Sequence, residues 1–287
     1  MIVLGVIPAR LQSSRLPRKV LREIAGRPML CHVYERARKA GVLSDVIVAT
    51  DADEVVAACR GFGIPAVLTS RDHPSGTDRV WEVAQTRAAD VYVNIQGDEP
   101  LLTSGHVARL VEPFLARPET EVSTLCIVAT AEEIASPSVN KVVFGPGGRA
   151  LYFSKFGIPF DRDGRGVIRY KHVGLYAYRK AALDRFHALP PSILEQSEGL
   201  EQLRFLEHGV SITVMETNEP TIGVDTEEDL KAVEAYLAAD HTRRPARYAS
   251  TAAACDRPLH DPRPDPGRAD PRQHRAARHS RHREADS

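Results

Sequence analysis

The 287-residue sequence predicts an α/β fold, a mixed, mostly parallel sheet with helices on both faces. Two observations carry this. Short apolar runs alternate with stretches of helical period through most of the chain. The runs are also continuously apolar rather than alternating, as suits parallel strands covered on both sides. At 43% hydrophobic and 26% charged, the chain can bury a core of this kind without disulfide or metal staples.

Taken in order, residues 2–7 read as a strand. Residues 29–40 read as a helix, with Leu30, Val33, Tyr34 and Ala37 on one side. A strand at 46–49, a helix at 53–60 and a strand at 66–68 follow. Next come a helix at 77–88, a strand rich in β-branched residues at 91–95, a helix at 105–115 and a strand at 122–128. After Asn140 the pattern changes to strands at 141–144, 150–153 and 173–178 joined by loops. Helices at 180–188 and 200–207 and a strand at 211–215 precede a last helix. It opens near Thr226, which with Glu228 and Asp229 makes an N-terminal cap and an acidic first turn. The second half is expected to complete the same sheet and to add a substrate or dimer-contact segment.

Composition divides the chain into a domain at 1–239 and a tail at 240–287. Residues 241–287 hold no Ile, Val, Met, Phe, Trp or Lys. Such a segment buries too little apolar surface to offset its ordering entropy, so the tail is expected to be disordered. Its His274, His279 and His282 and its arginines are expected to be solvated rather than to bind metal or nucleic acid. The formal net charge of zero hides an asymmetry: 27 basic and 32 acidic residues up to 240, against 11 and 6 beyond. A negative body does not favour nucleic acid. Cys31, Cys59, Cys126 and Cys255 form no Cys-x-x-Cys pair, as expected of isolated thiols in a reducing compartment. No apolar run approaches the length of a membrane helix. The apolar start runs straight into Pro8 without a basic leader, which reads as a strand rather than a signal peptide. The expected location is the cytoplasm, away from any membrane.

Three stretches carry chemistry. The loop PARLQSSRLPRK at 8–19 follows the first strand, at the end where open α/β sheets bind ligands. Its Arg10, Arg15 and Lys19, with the hydroxyls of Ser13 and Ser14, suit a polyphosphate. The stretch VNIQGDEP at 93–100 ends a buried strand in Gly97, Asp98 and Glu99. A carboxylate there is a good magnesium ligand beside a phosphate loop, or a solvated turn. In GVDTEEDL at 223–230, Asp225 either caps the last helix or supplies a second carboxylate to the same metal. From that stretch alone capping is favoured. The glycine-rich GFGIPA at 61–66 follows a helix and precedes a strand, the reverse of a dinucleotide fingerprint, which argues against an oxidoreductase.

Together these stretches resemble the CMP-Kdo synthetases (3-deoxy-manno-octulosonate cytidylyltransferases), within the glycosyltransferase-A-like nucleotidyltransferase fold. The resemblance runs from Val3 to about Ala238. It also includes VATD at 48–51, HPSGTDR at 73–79, KVV at 141–143, LYFS at 151–154 with IP at 158–159, HVGLYAY at 172–178 and LEQLR at 200–204. It implies an enzyme joining CTP to the sugar acid Kdo, giving CMP-Kdo and pyrophosphate for lipopolysaccharide or a related glycoconjugate. Arg10, Arg15 and Lys19 are implied to bind the triphosphate. Ser75, Gly76 and Thr77, with the backbone of Pro8 and Ala9, are implied to shape the cytosine and ribose site. Asp98 and Asp225 are implied to hold Mg²⁺, against the capping preference, with Lys19, Asp98 and Asp225 as the catalytic set. Gln96, Lys155, His172, Tyr176, Glu201 and Gln202 are implied to line the Kdo pocket, Lys155 and His172 being candidates for its carboxylate. Family members are commonly homodimers. Two positions depart from the family: Arg18 stands where glycine is usual, and Lys155 where arginine is common. Arg18 either pays strain at positive φ or adds charge at the triphosphate. The alternatives are a related sugar acid such as 8-amino-Kdo, or a non-catalytic nucleotide-binding regulator.

Overall fold

The computed structural model describes residues 1–13 and 15–243, with side chains as far as Ala239. The strands are β1 (Val3–Ala9), β2 (Glu23–Ile24), β3 (Arg27–Pro28), β4 (Asp45–Thr50), β5 (Ala66–Leu68), β6 (Val91–Asn94), β7 (Val122–Val128), β8 (Lys141–Phe144), β9 (Ala150–Ser154), β10 (Tyr170–Tyr178) and β11 (Ile212–Glu216). The helices are α1 (Met29–Arg38), α2 (Asp53–Gly61), α3 (Gly76–Thr86), α4 (Ser104–Ala116), α5 (Ala131–Ala135), α6 (Lys180–Ala188), α7 (Ile193–Glu198), α8 (Gln202–Glu207) and α9 (Glu227–Arg243).

The main sheet runs β11-β7-β10-β6-β1-β4-β5, with β8 and β9 extending from β10. β1 pairs parallel with β4 and β6, β4 with β5, and β11 with β7. Along this path β10 alone runs against its neighbours, β6 and β7, and the extension through β8 and β9 is antiparallel as well. The predicted mixed, mostly parallel sheet is therefore the observed one. β1 is buried along its whole length, and its side chains alternate between the faces. Val3, Ile7 and Ala9 pack with α1, α2 and α4. Leu4 and Val6 pack in the cluster formed with α3, α6 and α8.

A third cluster matters most for function. Leu16, from the loop after β1, packs with Ile24, Met29, Leu101 and Val224 and with Leu230, Val233 and Leu237 of α9. Burying each such side chain contributes about 1.5–3 kcal/mol, enough to oppose the about 1–2 kcal/mol per residue that ordering the loop costs. The last helix thus anchors the first loop.

Two differences from expectation have local causes. The helix read at 200–207 is α8, and a further short helix, α7, precedes it. Gly199, at φ +64°, separates the two. The signal for α7 was Ser192 followed by Glu195, which form a complete capping box. At the far end, α9 continues through Arg243, past the boundary drawn from composition. The arginine-rich segment from 244, its histidines, Cys255 and Ser14 lie outside the described residues. Among the described residues, no helix is long and apolar enough to cross a membrane. Cys31, Cys59 and Cys126 are free and buried.

Candidate active site

Because β1 and β6 are parallel neighbours, the loop after β1 and the stretch after β6 emerge at one edge of the sheet. Gly97 lets them close together. A Cβ there would lie 2.8 Å from the Pro8 carbonyl oxygen and 3.7 Å from Ala9 Cα, so any side chain would force the two backbones apart. The result is an open cleft of about 290 Å³. Pro8, Arg10, Gln12, Ser13, Arg15, Lys19, Val20, Gly76, Gln96, Gly97, Asp98 and Asp225 line it.

Lys19 lies at its centre. Its Nζ donates to Asp98 Oδ2 at 2.5 Å and to Asp225 Oδ1 at 2.9 Å. Arg15 reaches the same Asp225 oxygen at 2.9 Å. Burial opposes the Lys19 ammonium, but the two carboxylates outweigh it and raise its pKa. Asp225 does not cap α9. Asp229 Oδ2 instead accepts from the backbone N–H groups of Asp225 and Thr226, and Thr226 Oγ1 accepts from Asp229 N. The Asp225 side chain is therefore released from the helix and turned to Lys19. Glu99 is a third carboxylate nearby. Burial, with the charges of Asp98 and Asp225, pushes it up to about 7, against the hydrogen bond from Thr221.

The other nucleotide-side residues divide by role. Arg10 Nη2 donates to the His73 carbonyl at 2.9 Å, joining the first loop to the turn before α3. Asp51 Oδ1 accepts from Leu11 N at 3.2 Å while Asp51 Oδ2 accepts from the fully buried Arg79 at 3.2 Å. Gly76 lies against Pro8 and Gln96. Ser75 caps α3 and donates to Asp78. The Ala9 side chain is in the core, which leaves its backbone for a ligand. Thr77 is buried, donating to Glu201 Oε1 at 2.7 Å and lying 3.3 Å from the Tyr178 hydroxyl. Arg18 has φ +57°, and its guanidinium pairs with Glu54 on α2 rather than lining the cleft.

Behind Gln96 lies a group of buried polar side chains. His172 Nδ1 and Gln202 Nε2 have no hydrogen-bond partner, and Tyr176 OH and Asn94 Nδ2 are met only by looser contacts, with Thr124 and Tyr178. Unpaired groups of this kind are costly in a core and suit a polar ligand. His172 and Tyr176 are four residues apart, about 13 Å along a regular strand. Their ring centroids are 5.3 Å apart. A bulge explains this: β10 advances from Val173 to Tyr176 while β7 advances only from Leu125 to Thr124. The two extra residues keep both rings on one face. Burial pushes the His172 imidazole down to about 3, so the ring is neutral at ordinary pH. Burial also raises Glu201, against hydrogen bonds from Thr77 and Ser75. Lys155 is exposed. Its backbone N–H donates to Glu198 Oε2 at 2.9 Å, and its Nζ lies beside Gly199, 3.4 Å from where a Cβ would be.

The cytidylyltransferase family model matches residues 4–212. The 3-deoxy-manno-octulosonate cytidylyltransferase of Acidobacterium capsulatum is 60% identical over 236 residues, covering 82% of this chain and 96% of that protein. This chain belongs to the 3-deoxy-manno-octulosonate cytidylyltransferase family. The namesake from Koribacter versatilis is 59% identical, covering 82% and 89%. A solved CMP:2-keto-3-deoxy-manno-octonic acid synthetase complexed with CTP superposes with a TM-score of 0.81 at 44% identity. It covers 84% of this chain and all of that one.

In this cytidylyltransferase, sequence reasoning missed Asn94, Thr124, Asp51 and Arg79. Asn94 carried a usable signal, a polar residue inside the otherwise apolar run of β6. Thr124 carried none, since threonine is an ordinary strand residue.

Proposed function

We propose that this protein joins CTP to Kdo, giving CMP-Kdo and pyrophosphate, in a Mg²⁺-dependent reaction. The observation that carries the reading is Lys19 held between Asp98 and Asp225, with Arg10 and Arg15 on the same cleft. Among the described residues, no three His, Cys, Asp or Glu side chains converge as a ready-made metal cage. Mg²⁺ needs none here, because it takes one or two carboxylates and fills its shell with phosphate oxygens and water. The ammonium drawn to these carboxylates supports a cation-binding role for the pair. Asp98 and Asp225 would hold the ion. When bound, it would polarise the α-phosphate and lower the pKa of the attacking hydroxyl.

The chain's own groups do the rest. Arg10, Arg15 and Lys19 bind the triphosphate and offset charge moving onto pyrophosphate. The backbone at Pro8 and Ala9, with Gly76, shapes the nucleoside end, while Ser75 and Thr77 hold that wall in place. The anomeric oxygen of Kdo bonds to the α-phosphorus as the bond to the pyrophosphate oxygen breaks. Gln96, Tyr176, Glu201 and Gln202 orient the sugar acid. His172, being neutral, suits a hydroxyl, which leaves Lys155 as the cation for the carboxylate. Orientation of this kind supplies much of the rate in such transfers.

The reading extends to a homodimer in the cytoplasm serving lipopolysaccharide or a related glycoconjugate. Phe156, Phe160, Ile168 and Ile193 are exposed, and a second copy would cover apolar side chains of this kind. Sedimentation at micromolar concentration tests the dimer. A chain ending at Arg243 is expected to keep its activity. The deciding experiment measures pyrophosphate release with a panel of nucleoside triphosphates and sugar acids, with and without Mg²⁺. A strong preference for 8-amino-Kdo, or release independent of Mg²⁺, would overturn the assignment. CTP binding without any release would favour a regulator.

A further inference from the structure

We infer that Thr124 is a positioning residue that holds His172 in its Nε2–H tautomer, presenting the bare Nδ1 as an acceptor for a hydroxyl of the sugar acid. The inference rests on the reading of His172 as part of the Kdo site.

Thr124 is fully buried on β7. Its Oγ1 lies 2.8 Å from the Leu175 carbonyl, 3.4 Å from the Val173 carbonyl and 2.9 Å from His172 Nε2. A threonine hydroxyl has one proton to give and lone pairs to receive with. Carbonyl oxygens only accept, so the proton goes to the bulge, to Leu175 at the shorter distance. The bond to His172 then has to be donated by the ring, which places hydrogen on Nε2. The other tautomer sets a bare Nε2 against the hydroxyl lone pairs, or draws the proton away from the bulge carbonyls. Either leaves one more buried polar group unpaired than the Nε2–H form does, since Nδ1 lacks a partner in both.

With Nε2 occupied, the neutral ring has a lone pair only at Nδ1, and Nδ1 is one of the buried atoms without a partner. Phe153 stands edge-on to the ring at 5.1 Å and Tyr176 lies at 5.3 Å, which limits its rotation. A ligand group meeting Nδ1 must bring its own proton. A hydroxyl does so; a carboxylate does not.

Nitrogen-15 spectra of the ligand-free protein test this, with the His172 signals assigned by their loss in His172→Gln. Wild type and Thr124→Ser should show protonated Nε2 and bare Nδ1. Thr124→Val should lose that preference, and its KM for Kdo should rise about tenfold while its KM for CTP stays within about twofold. Protonated Nδ1 in the wild type overturns the inference, as does an unchanged tautomer in Thr124→Val. The wild-type spectrum needs no variant, and Thr124→Ala is a second probe should the valine variant fold poorly. A changed spectrum with an unchanged KM for Kdo upholds the tautomer and removes His172 from the sugar site, so the two failures are separable.

Discussion

The backbone N–H of Val224 donates to the carbonyl oxygen of Asp98 at 2.9 Å. This bond ties the stretch after β6 to the residue just before Asp225. The two carboxylates that share Lys19 are therefore set against each other by main chain, not by the reach of their side chains. Leu16 and α9 pack around the same junction.

Asp98→Asn and Asp225→Asn should separate chemistry from folding. Each variant leaves the Val224–Asp98 backbone bond in place, and Lys19 keeps one carboxylate partner. We expect kcat for pyrophosphate release to fall about 100- to 1,000-fold in each. The urea midpoint should change little. Full activity in either variant would refute the metal assignment.

Gly97→Ala should behave in the opposite way. The added methyl meets the Pro8 carbonyl at 2.8 Å, and backbone against backbone cannot yield as a flexible side chain can. Forced overpacking of this sort costs about 1–3 kcal/mol. Stability measured by urea unfolding should drop by that amount, and activity should fall with it because the cleft is widened where β1 and β6 meet.

The sequence made the sheet and the cleft readable for different reasons. Buried parallel strands announce themselves as apolar runs, so β1, β4 and β6 could be placed, and with them the loop at 8–19 and the carboxylate at 98. Asp225 was ambiguous because an aspartate before a helix is usually a cap. Thr226 and Asp229, also legible as a cap, form a reciprocal pair at the start of α9, and this leaves the Asp225 side chain to Lys19. The closeness of His172 and Tyr176 was hidden, since their spacing reads as regular strand and a bulge depends on the partner strand's register. Gly174 was its one trace in the sequence.

Arg18→Gly should be nearly silent. The left-handed conformation at φ +57° costs a non-glycine residue about 1–2 kcal/mol. Glycine removes that strain but adds about 0.5–1 kcal/mol of chain entropy to be lost on folding. It also forgoes an exposed ion pair with Glu54 that contributes about 0–1 kcal/mol. These effects nearly cancel, so unfolding free energy should move by less than about 1 kcal/mol. Because the guanidinium points to α2, KM for CTP should stay within about twofold by pyrophosphate assay. A large rise would mean that Arg18 turns to the triphosphate after all.

His172 should make the protein sensitive to mild acid. Burial holds its folded pKa at about 3, below the ordinary value of 6.5. Above pH 6.5 the ring is neutral in both folded and unfolded chains and adds no pH dependence. Below that pH the unfolded chain binds a proton that the folded chain refuses until about pH 3. Stability therefore falls as pH falls through this window, by up to about 1.4 kcal/mol per pH unit from this one group. Carboxylates add their own slopes, so the comparison has to be differential. Urea unfolding of wild type and His172→Gln between pH 7 and about pH 4 should give a flatter profile for the variant. Parallel profiles would mean that the imidazole is protonated within the folded protein and is not held neutral by its surroundings.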